Sequence, residues 1–359
     1  MKTLETERLI LRPFEETDFE AVHAYASVAE NVQYMVWGPN EESHTKAFIL
    51  QAIAQSKENP CKNYQYAAVL KSSQKLIGAC NLTISRKDEA VIGWILHRDY
   101  WKQGFGTEMG KCIVGFGFNE LGLHRITAHC DTENYGSYRV MEHIGMRREG
   151  CFFEGGPANK FSDKKYGDEY SYAILKDEWE ILQEISYYNS LQIVFDDFID
   201  TPDLTDGEIE LYCICKKSAI PEKKWVPAYE FEIRCDSSRV GEINLRIGYT
   251  DGLYYGGQIG YGVDEQHRGH GYAEKACRLL APVIRAHGMN KVLITNNHTN
   301  IASKRTCEKL GAKFIRTARL PEWHDLYKDG QRFVNIFEWS VECFWPLSIS
   351  KEGMDDEQC

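Results

Sequence analysis

The sequence predicts an α/β protein built as two domains in tandem. Three observations carry that reading. The chain has 359 residues, and at roughly 150 residues per domain it accommodates about two. Segments with strand and helix patterning alternate along its length. One order of motifs also occurs twice. Ile92-Gly93-Trp94 returns as Ile259-Gly260-Tyr261, and Gly104-Phe105-Gly106 as Gly269-His270-Gly271. Asn134-x-x-Ser137-x-Arg139 returns as Asn300-x-x-Ser303-x-Arg305, and Glu142-His143-Ile144-Gly145 as Glu308-Lys309-Leu310-Gly311. The offsets are 167, 165, 166 and 166 residues. Four matches in one order at a nearly constant offset indicate a duplication or a fusion of two relatives.

The elements follow in order. Residues 8–13 read as a strand. Thr17 and Glu20 have capping-box spacing, so a helix is expected from there to about Val28, and a second over 43–56. Strands are expected at 66–70, 76–84 and 90–96. The turn 102–107 leads into a helix to about Glu120, then a strand at 125–130 and a helix at 136–144 that Gly145 can end. Strands at 148–154 and 168–175 close the first half. In the second half strands are expected at 228–234, 239–248 and 257–263. A helix follows Gly271, then a strand at 291–295, a helix at 302–310 ended by Gly311, and a strand at 333–341. Residues 203–227 read as a helix with a long loop, and 252–257 as a turn. The domains are placed at 1–180 and 192–345. A linker spans 181–191, within a junction over about 177–191 where Trp179, Leu182 and Ile185 have helical spacing. An acidic tail at 346–359 is expected to fray.

Composition narrows the function classes. Hydrophobic residues make up 43%, ordinary for a globular protein. No apolar run approaches the ~20 residues of a membrane span, and the first residues lack a charged-then-apolar leader. A cytoplasmic location and no membrane partner are expected. The 12 cysteines are spread through apolar stretches, and the nearest pair is Cys213-x-Cys215. That spacing favours reduced, mostly buried thiols over disulfides or a zinc site, so no metal is expected. A net charge of −11 disfavours nucleic acid. It suits a cationic substrate, and equally plain solubility.

The chemistry concentrates where a strand runs through a glycine turn into a helix. The second half reads Gln258-Ile259-Gly260-Tyr261-Gly262-Val263, then Gln266-His267-Arg268-Gly269-His270-Gly271-Tyr272-Ala273. Glycines let backbone amides approach a ligand, and a helix start offers unpaired N–H groups with partial positive charge. Together they suit a diphosphate. The turn lacks the third glycine of a dinucleotide fingerprint and the Lys-Ser/Thr of a nucleotide P-loop. The first half carries Trp101-Lys102-Gln103-Gly104-Phe105-Gly106-Thr107 at the same place.

A Q-x-x-G-x-G turn after an apolar strand, followed by N-x-x-S at a later helix start, resembles the GNAT superfamily of N-acetyltransferases. The first half is similar to Rim-type (ribosomal-protein-alanine) acetyltransferases, in 6–12 and 100–108. The second resembles a less characterised group, in 257–261, 292–295 and 300–303. The resemblance covers most of 1–180 and 228–341. It implies two GNAT (acyl-CoA N-acyltransferase) folds, each a twisted mixed sheet flanked by helices. It also implies two middle strands splayed apart to admit a pantetheine arm. By that carry-over Ile95, Leu96, Gly262 and Val263 pair with pantetheine amides. The diphosphate sits on amides of Gln103, Gly104, Phe105, Gly106 and Thr107, and of Arg268, Gly269, His270, Gly271 and Tyr272. Asn134, Ser137, Asn300 and Ser303 lie near the thioester, although Asn and Ser at a helix start are also ordinary caps.

Two positions depart from the family pattern. Its Gln or Arg is read as Gln266 in the second half, against Trp101 in the first. The tyrosine that many members use as general acid is replaced by Met141 and Cys307, leaving Ser137 and Ser303 as donors. The implied activity is acetyl-CoA-dependent acetylation of a primary amine by direct transfer. The acceptor is a small molecule or a peptide N-terminus, and the enzyme a monomer or homodimer. An acyl-CoA-binding regulatory protein with inactive domains is the alternative. Candidate bases at strand ends are Glu89, His97, Asp99, Asp131, Asp264, Glu265 and His298. His97 and His298 stand out because histidine titrates near neutrality, and His97 is taken as the catalytic candidate.

Overall fold

The computed structural model describes residues 1–158, 161–191, 193–201 and 204–341. The expected tail at 346–359 lies outside them. The chain divides into two compact units, Met1–Leu182 and Gln183–Cys359.

In the first unit β1 (Leu4–Glu5) and β2 (Leu9–Pro13) precede α1 (Phe19–Ala26), α2 (Ala29–Val32) and α3 (Glu42–Ser56). The antiparallel run β3 (Asn63–Leu70), β4 (Leu76–Arg86) and β5 (Glu89–Leu96) follows. Then come α4 (Phe105–Asn119), β6 (Arg125–Asp131), α5 (Tyr135–Ile144), β7 (Arg147–Pro157) and β8 (Tyr166–Leu175). The eight-stranded sheet has the order β1-β2-β3-β4-β5-β6-β8-β7. Among its described pairings only β5 against β6 is parallel. α6 (Lys176–Ser190) begins in this unit and ends in the next, taking in most of the expected linker.

The second unit holds β9 (Glu210–Lys217), β10 (Ala228–Cys235), β11 (Ser238–Arg246), α7 (Asp251–Gly256) and β12 (Ile259–Val263). They are followed by α8 (Tyr272–Leu279), α9 (Ala281–Ala286), β13 (Lys291–Asn297), α10 (Ile301–Lys309), β14 (Lys313–Arg319), α11 (Asp325–Lys328) and β15 (Phe333–Ser340). Its seven strands run β14-β15-β13-β12-β11-β10-β9, with β12 and β13 parallel. Each unit is therefore a mixed sheet flanked by helices.

Periodicity explains the packing. On β2, Leu9 and Leu11 are buried while Ile10 and Arg12 alternate with them. On α4, Phe105, Met109, Ile113 and Phe116 recur at helical spacing and enter the first core. Gly110 lets α5 come close, since a Cβ there would lie 2.5 Å from Ile144 Cδ1.

Several readings need correction. Thr17 is not the cap. A 3-10 turn at Glu16–Asp18 precedes α1, and its capping box joins Glu15 to Asp18. Asp18 also takes the Arg12 guanidinium at 2.7 and 2.8 Å, which fixes the turn two residues earlier than Thr17 suggested. Residues 203–227 contain strand β9, not a helix. Tyr212 and Ile214 put apolar side chains on its exposed face, which blurs the alternation. Residues 252–257 belong largely to α7, capped by the Thr250 hydroxyl accepting from the Leu253 amide at 3.2 Å. β14 was not expected, because a register shift between Phe314 and Arg316 breaks its period of two.

One asymmetry bears on function. Between β2 and β3, residues 14–62 supply α1, α2 and α3, which pack on the sheet around Phe14, Val22, Tyr25 and Ile49. Between β9 and β10, residues 218–227 supply only a 3-10 turn at Pro221–Lys223.

Candidate functional site

Each sheet opens at its parallel pair. β5 meets β6 at Glu89–Arg125, Ala90–Ile126 and Val91–Thr127, and no further. Beyond Val91 the two strands part while β6 stays paired with β8. β12 meets β13 at Ile259–Ile294 alone. Buried Gln258 closes the base of that gap. Its backbone amide donates to the Leu293 carbonyl at 2.8 Å, and its side-chain oxygen accepts from the Leu293 amide at 2.6 Å. Its Nε2 donates to Gly248 O at 3.1 Å.

Alternation decides which residues face each gap. A Cβ on Gly78 would fall 2.2 Å from the Ile95 carbonyl, and one on Gly241 2.3 Å from that of Gly262. Ile95 and Gly262 therefore turn their carbonyls toward β4 and β11, away from the gap. This corrects their expected role as pantetheine partners. Leu96 and Val263 face the gap, but their carbonyls are already taken. Asn31 Nδ2 and Trp101 Nε1 donate to Leu96 O at 2.7 and 2.9 Å. Arg268 Nε donates to Val263 O at 3.2 Å. The free edges are at Trp94 and Tyr261, which the sequence reading had not singled out for that role.

The two turns share a backbone course at an offset of 167, not 165. A 3-10 turn at Arg98–Tyr100 or Glu265–His267 ends at Trp101 or Arg268, with φ −69°, ψ 157° and φ −68°, ψ 154°. Next stand Lys102 and Gly269 with positive φ, then Gly104 and Gly271 as left-handed N-caps of α4 and α8. Arg268, not Gln266, therefore corresponds to Trp101, and Ala273 to Gly106. Among the described residues the amides of Gln103 to Thr107, and of Gly269 to Glu274, make no hydrogen bond within the protein. Nothing lies within 4 Å of a Cβ built on Gly269 or Gly271, so that cradle is open. The amides and the gap fit a diphosphate carrying an extended arm.

Side chains brace the first turn. Glu108 accepts from the Thr6 hydroxyl at 2.5 Å, from the Arg8 amide at 2.8 Å and from Arg8 Nε at 2.6 Å. Arg8 Nη1 donates to Gln103 O at 3.0 Å, and the guanidinium lies 4.2 Å from the Phe105 ring centre. Burial raises the Glu108 carboxyl, but the Thr6 and Arg8 hydrogen bonds and the Arg8 charge outweigh it, and the net direction is down. In the second unit the charges are exchanged, with Lys275 at the equivalent place paired to Glu208. There His270 lies over the Tyr272 ring at 5.3 Å, and Tyr272 donates to Cys235 Sγ at 3.6 Å.

Asn134 and Asn300 cap α5 and α10, accepting from the Ser137 and Ser303 amides at 3.0 and 3.1 Å. The Ser137 hydroxyl reaches the Cys130 thiol of β6. Ser303 Oγ lies 2.9 Å from the Tyr261 hydroxyl. Burial foremost, with the Cys307 and Cys277 thiols behind it, pushes that phenol above its ordinary range, so it stays a proton donor. Strand β12 thus brings a tyrosine beside the helix whose own tyrosine position is Cys307.

His97 is a local cap. Its Nδ1 accepts from the Asp99 amide at 3.2 Å, and it is not among the residues lining the cavity described next. Asp99 pairs with Arg98, Glu89 pairs with Arg86, and Asp131 accepts from the Glu133 amide. Asp264 and Glu265 form the second 3-10 turn. His298 lies against Phe333.

A cavity of about 570 Å³ lies on the face of the first sheet opposite α4. Its apolar wall comes from Tyr25, Met35, Trp37, Phe48 and Ile95, and its polar groups from Asn40, His44, Gln65 and Asn81. Asn81 lies over Gly93, where a Cβ would stand 2.9 Å from its Oδ1. The second unit repeats the pair as Asn244 over Gly260, and there the buried Asn244 Oδ1 makes no hydrogen bond. No helix among the described residues is long and apolar enough to cross a membrane. No His, Cys, Asp or Glu cluster among them could hold a metal ion.

A family model described as an acetyltransferase (GNAT) domain matches residues 8–147 and again 195–313. The uncharacterized N-acetyltransferase YnaD of Bacillus subtilis (strain 168) is 36% identical over 175 residues, covering 48% of this chain and 97% of that protein. The uncharacterized N-acetyltransferase p20 of Bacillus licheniformis is 29% identical over 181 residues, covering 50% and 99%. Among solved structures, a GNAT-family acetyltransferase from Bacillus anthracis shares 36% identity at a TM-score of 0.43, covering 49% of this chain and 99% of that one.

Proposed function

This chain belongs to the GNAT family and is an N-acetyltransferase, and on that premise we propose that its first unit acetylates a primary amine with acetyl-CoA by direct transfer. The supporting observation is that the first unit combines a gapped sheet and an amide-lined turn with a cavity lined by α1, α3 and the segment Met35–Asn40. The second unit keeps the gap and the turn, but residues 218–227 offer no such helical wall. In this reading it binds acetyl-CoA and supports little transfer.

Acetyl-CoA supplies an activated acyl thioester. The amides from Gln103 to Thr107 hold its diphosphate, and the free edge at Trp94 aligns the arm and faces the oxygen that gains charge. The amine enters from the cavity, and proximity and orientation provide most of the acceleration. A new N–C bond forms as the C–S bond breaks. The amine's proton passes to His44, the one imidazole among the described lining residues. The leaving sulfur takes a proton from the Ser137 hydroxyl, which regains one from solvent as His44 releases its own. Ser303 and Tyr261 are the corresponding donors in the second unit. A cytoplasmic location suits this cosubstrate.

The test is amine-dependent thiol release by the full chain, compared between Gly104→Glu and Gly271→Glu. Each variant forces a side chain into a left-handed N-cap and puts a carboxylate where a diphosphate would sit. The reading predicts release abolished by Gly104→Glu and largely kept by Gly271→Glu. The reverse pattern would move catalysis to the second unit. Binding of acetyl-CoA with no release on any amine would leave a regulatory acyl-CoA-binding protein.

A further inference from the structure

The cavity beside Asn81 has a composition that selects among amines. Among the described residues lining it there is no Asp, Glu, Lys or Arg. A polycation placed there would lose water from several charges without meeting a carboxylate to offset the loss. The polar groups present are neutral hydrogen-bonding side chains. Tyr25 is 2% exposed, and its hydroxyl makes no hydrogen bond among the described residues. Asn81 gives one long bond from Nδ2 to Thr83 Oγ1 at 3.4 Å, which leaves Oδ1 open to an N–H donor. Trp37, Phe48 and Met35 supply flat or pliable apolar surface. A single amino group can be held by the open oxygens and the ring faces, with an apolar body against the walls.

We propose that the acceptor of the first unit is a monoamine whose amino group is carried on an aromatic or branched apolar body, bound with its nitrogen at Asn81 and Tyr25. This rests on the reading of the first unit as the transferring one. It narrows the cationic substrate that the overall charge of −11 would favour to a singly charged one, because the cavity wall does not share the acidity of the whole chain.

The experiment compares 2-phenylethylamine with spermidine on the full chain. Two quantities are read: kcat/KM for thiol release from acetyl-CoA, and calorimetric affinity for protein saturated with CoA. The proposal predicts kcat/KM and affinity at least about tenfold higher for 2-phenylethylamine. Trp37 is partly exposed, so Trp37→Glu is expected to fold, and its carboxylate should reduce or invert that preference. Equal or better use of spermidine by the unsubstituted chain overturns the proposal while leaving acetyl transfer intact. Selective binding of 2-phenylethylamine without turnover upholds the acceptor class and overturns the catalytic reading. Failure of both amines to bind overturns the proposal.

Discussion

At the scale of single residues, the first turn depends most on Glu108. Three donors from Thr6 and Arg8 converge on its carboxylate, which ties the strand entry to the first turn of α4. Glu108→Ala strands those donors and should cost about 2 kcal/mol in denaturant unfolding. Because the folded carboxyl titrates below its ordinary range, its contribution is complete above that range and disappears as pH falls through the depressed value. The stability gap between the unsubstituted chain and Glu108→Gln should therefore hold from neutrality down to the ordinary carboxylate range and close only as pH falls below that range. A gap independent of pH would deny that the ionised form is the one held. These contacts also explain why residues 6–12 and 100–108 both carried the family resemblance: Thr6, Arg8 and Glu108 form one cluster.

At the scale of elements, the splayed strand is seated by glycines on its antiparallel neighbour. Gly78 and Gly241 sit against the carbonyls of Ile95 and Gly262, which are backbone and cannot rotate aside. Gly78→Ala and Gly241→Ala should each destabilise by about 2 kcal/mol and weaken acetyl-CoA uptake in their own unit. Gly150→Ala on β7 is the control, since its added methyl would make only ordinary contacts near 3.6 Å with Phe152. Equal effects of the three substitutions in a denaturant series would remove the glycine seat from the account. Most strands and helices were legible in the sequence because their periodicity is local, as on β2 and α4. The turns were legible as glycines before a helix, but their register was not. Lys102 occupies a positive-φ position where the second unit has Gly269, so matching glycine to glycine slipped the alignment by two residues. The free edge at Trp94 and Tyr261 needed the pairing pattern of the folded sheet. Tyr261 escaped notice because its hydroxyl reaches Ser303 from a strand, whereas the sequence pattern sought a tyrosine on the helix. The cavity escaped for the same physical reason, since Tyr25, Trp37, Phe48 and Asn81 meet only when α1 to α3 fold onto β4.

At the scale of the whole molecule, one apparatus occurs twice in different surroundings. Both units retain the parallel pair that parts, the left-handed glycine cap and the Asn-over-Gly pair. Only the first has α1 to α3 over the opposite face. The direct measurement is the stoichiometry of acetyl-CoA uptake by the full chain in a calorimetric titration, repeated with Gly104→Glu and with Gly271→Glu. Two equivalents for the unsubstituted chain and one for each variant is the predicted result. No uptake at all, or a stoichiometry that neither substitution changes, would contradict it.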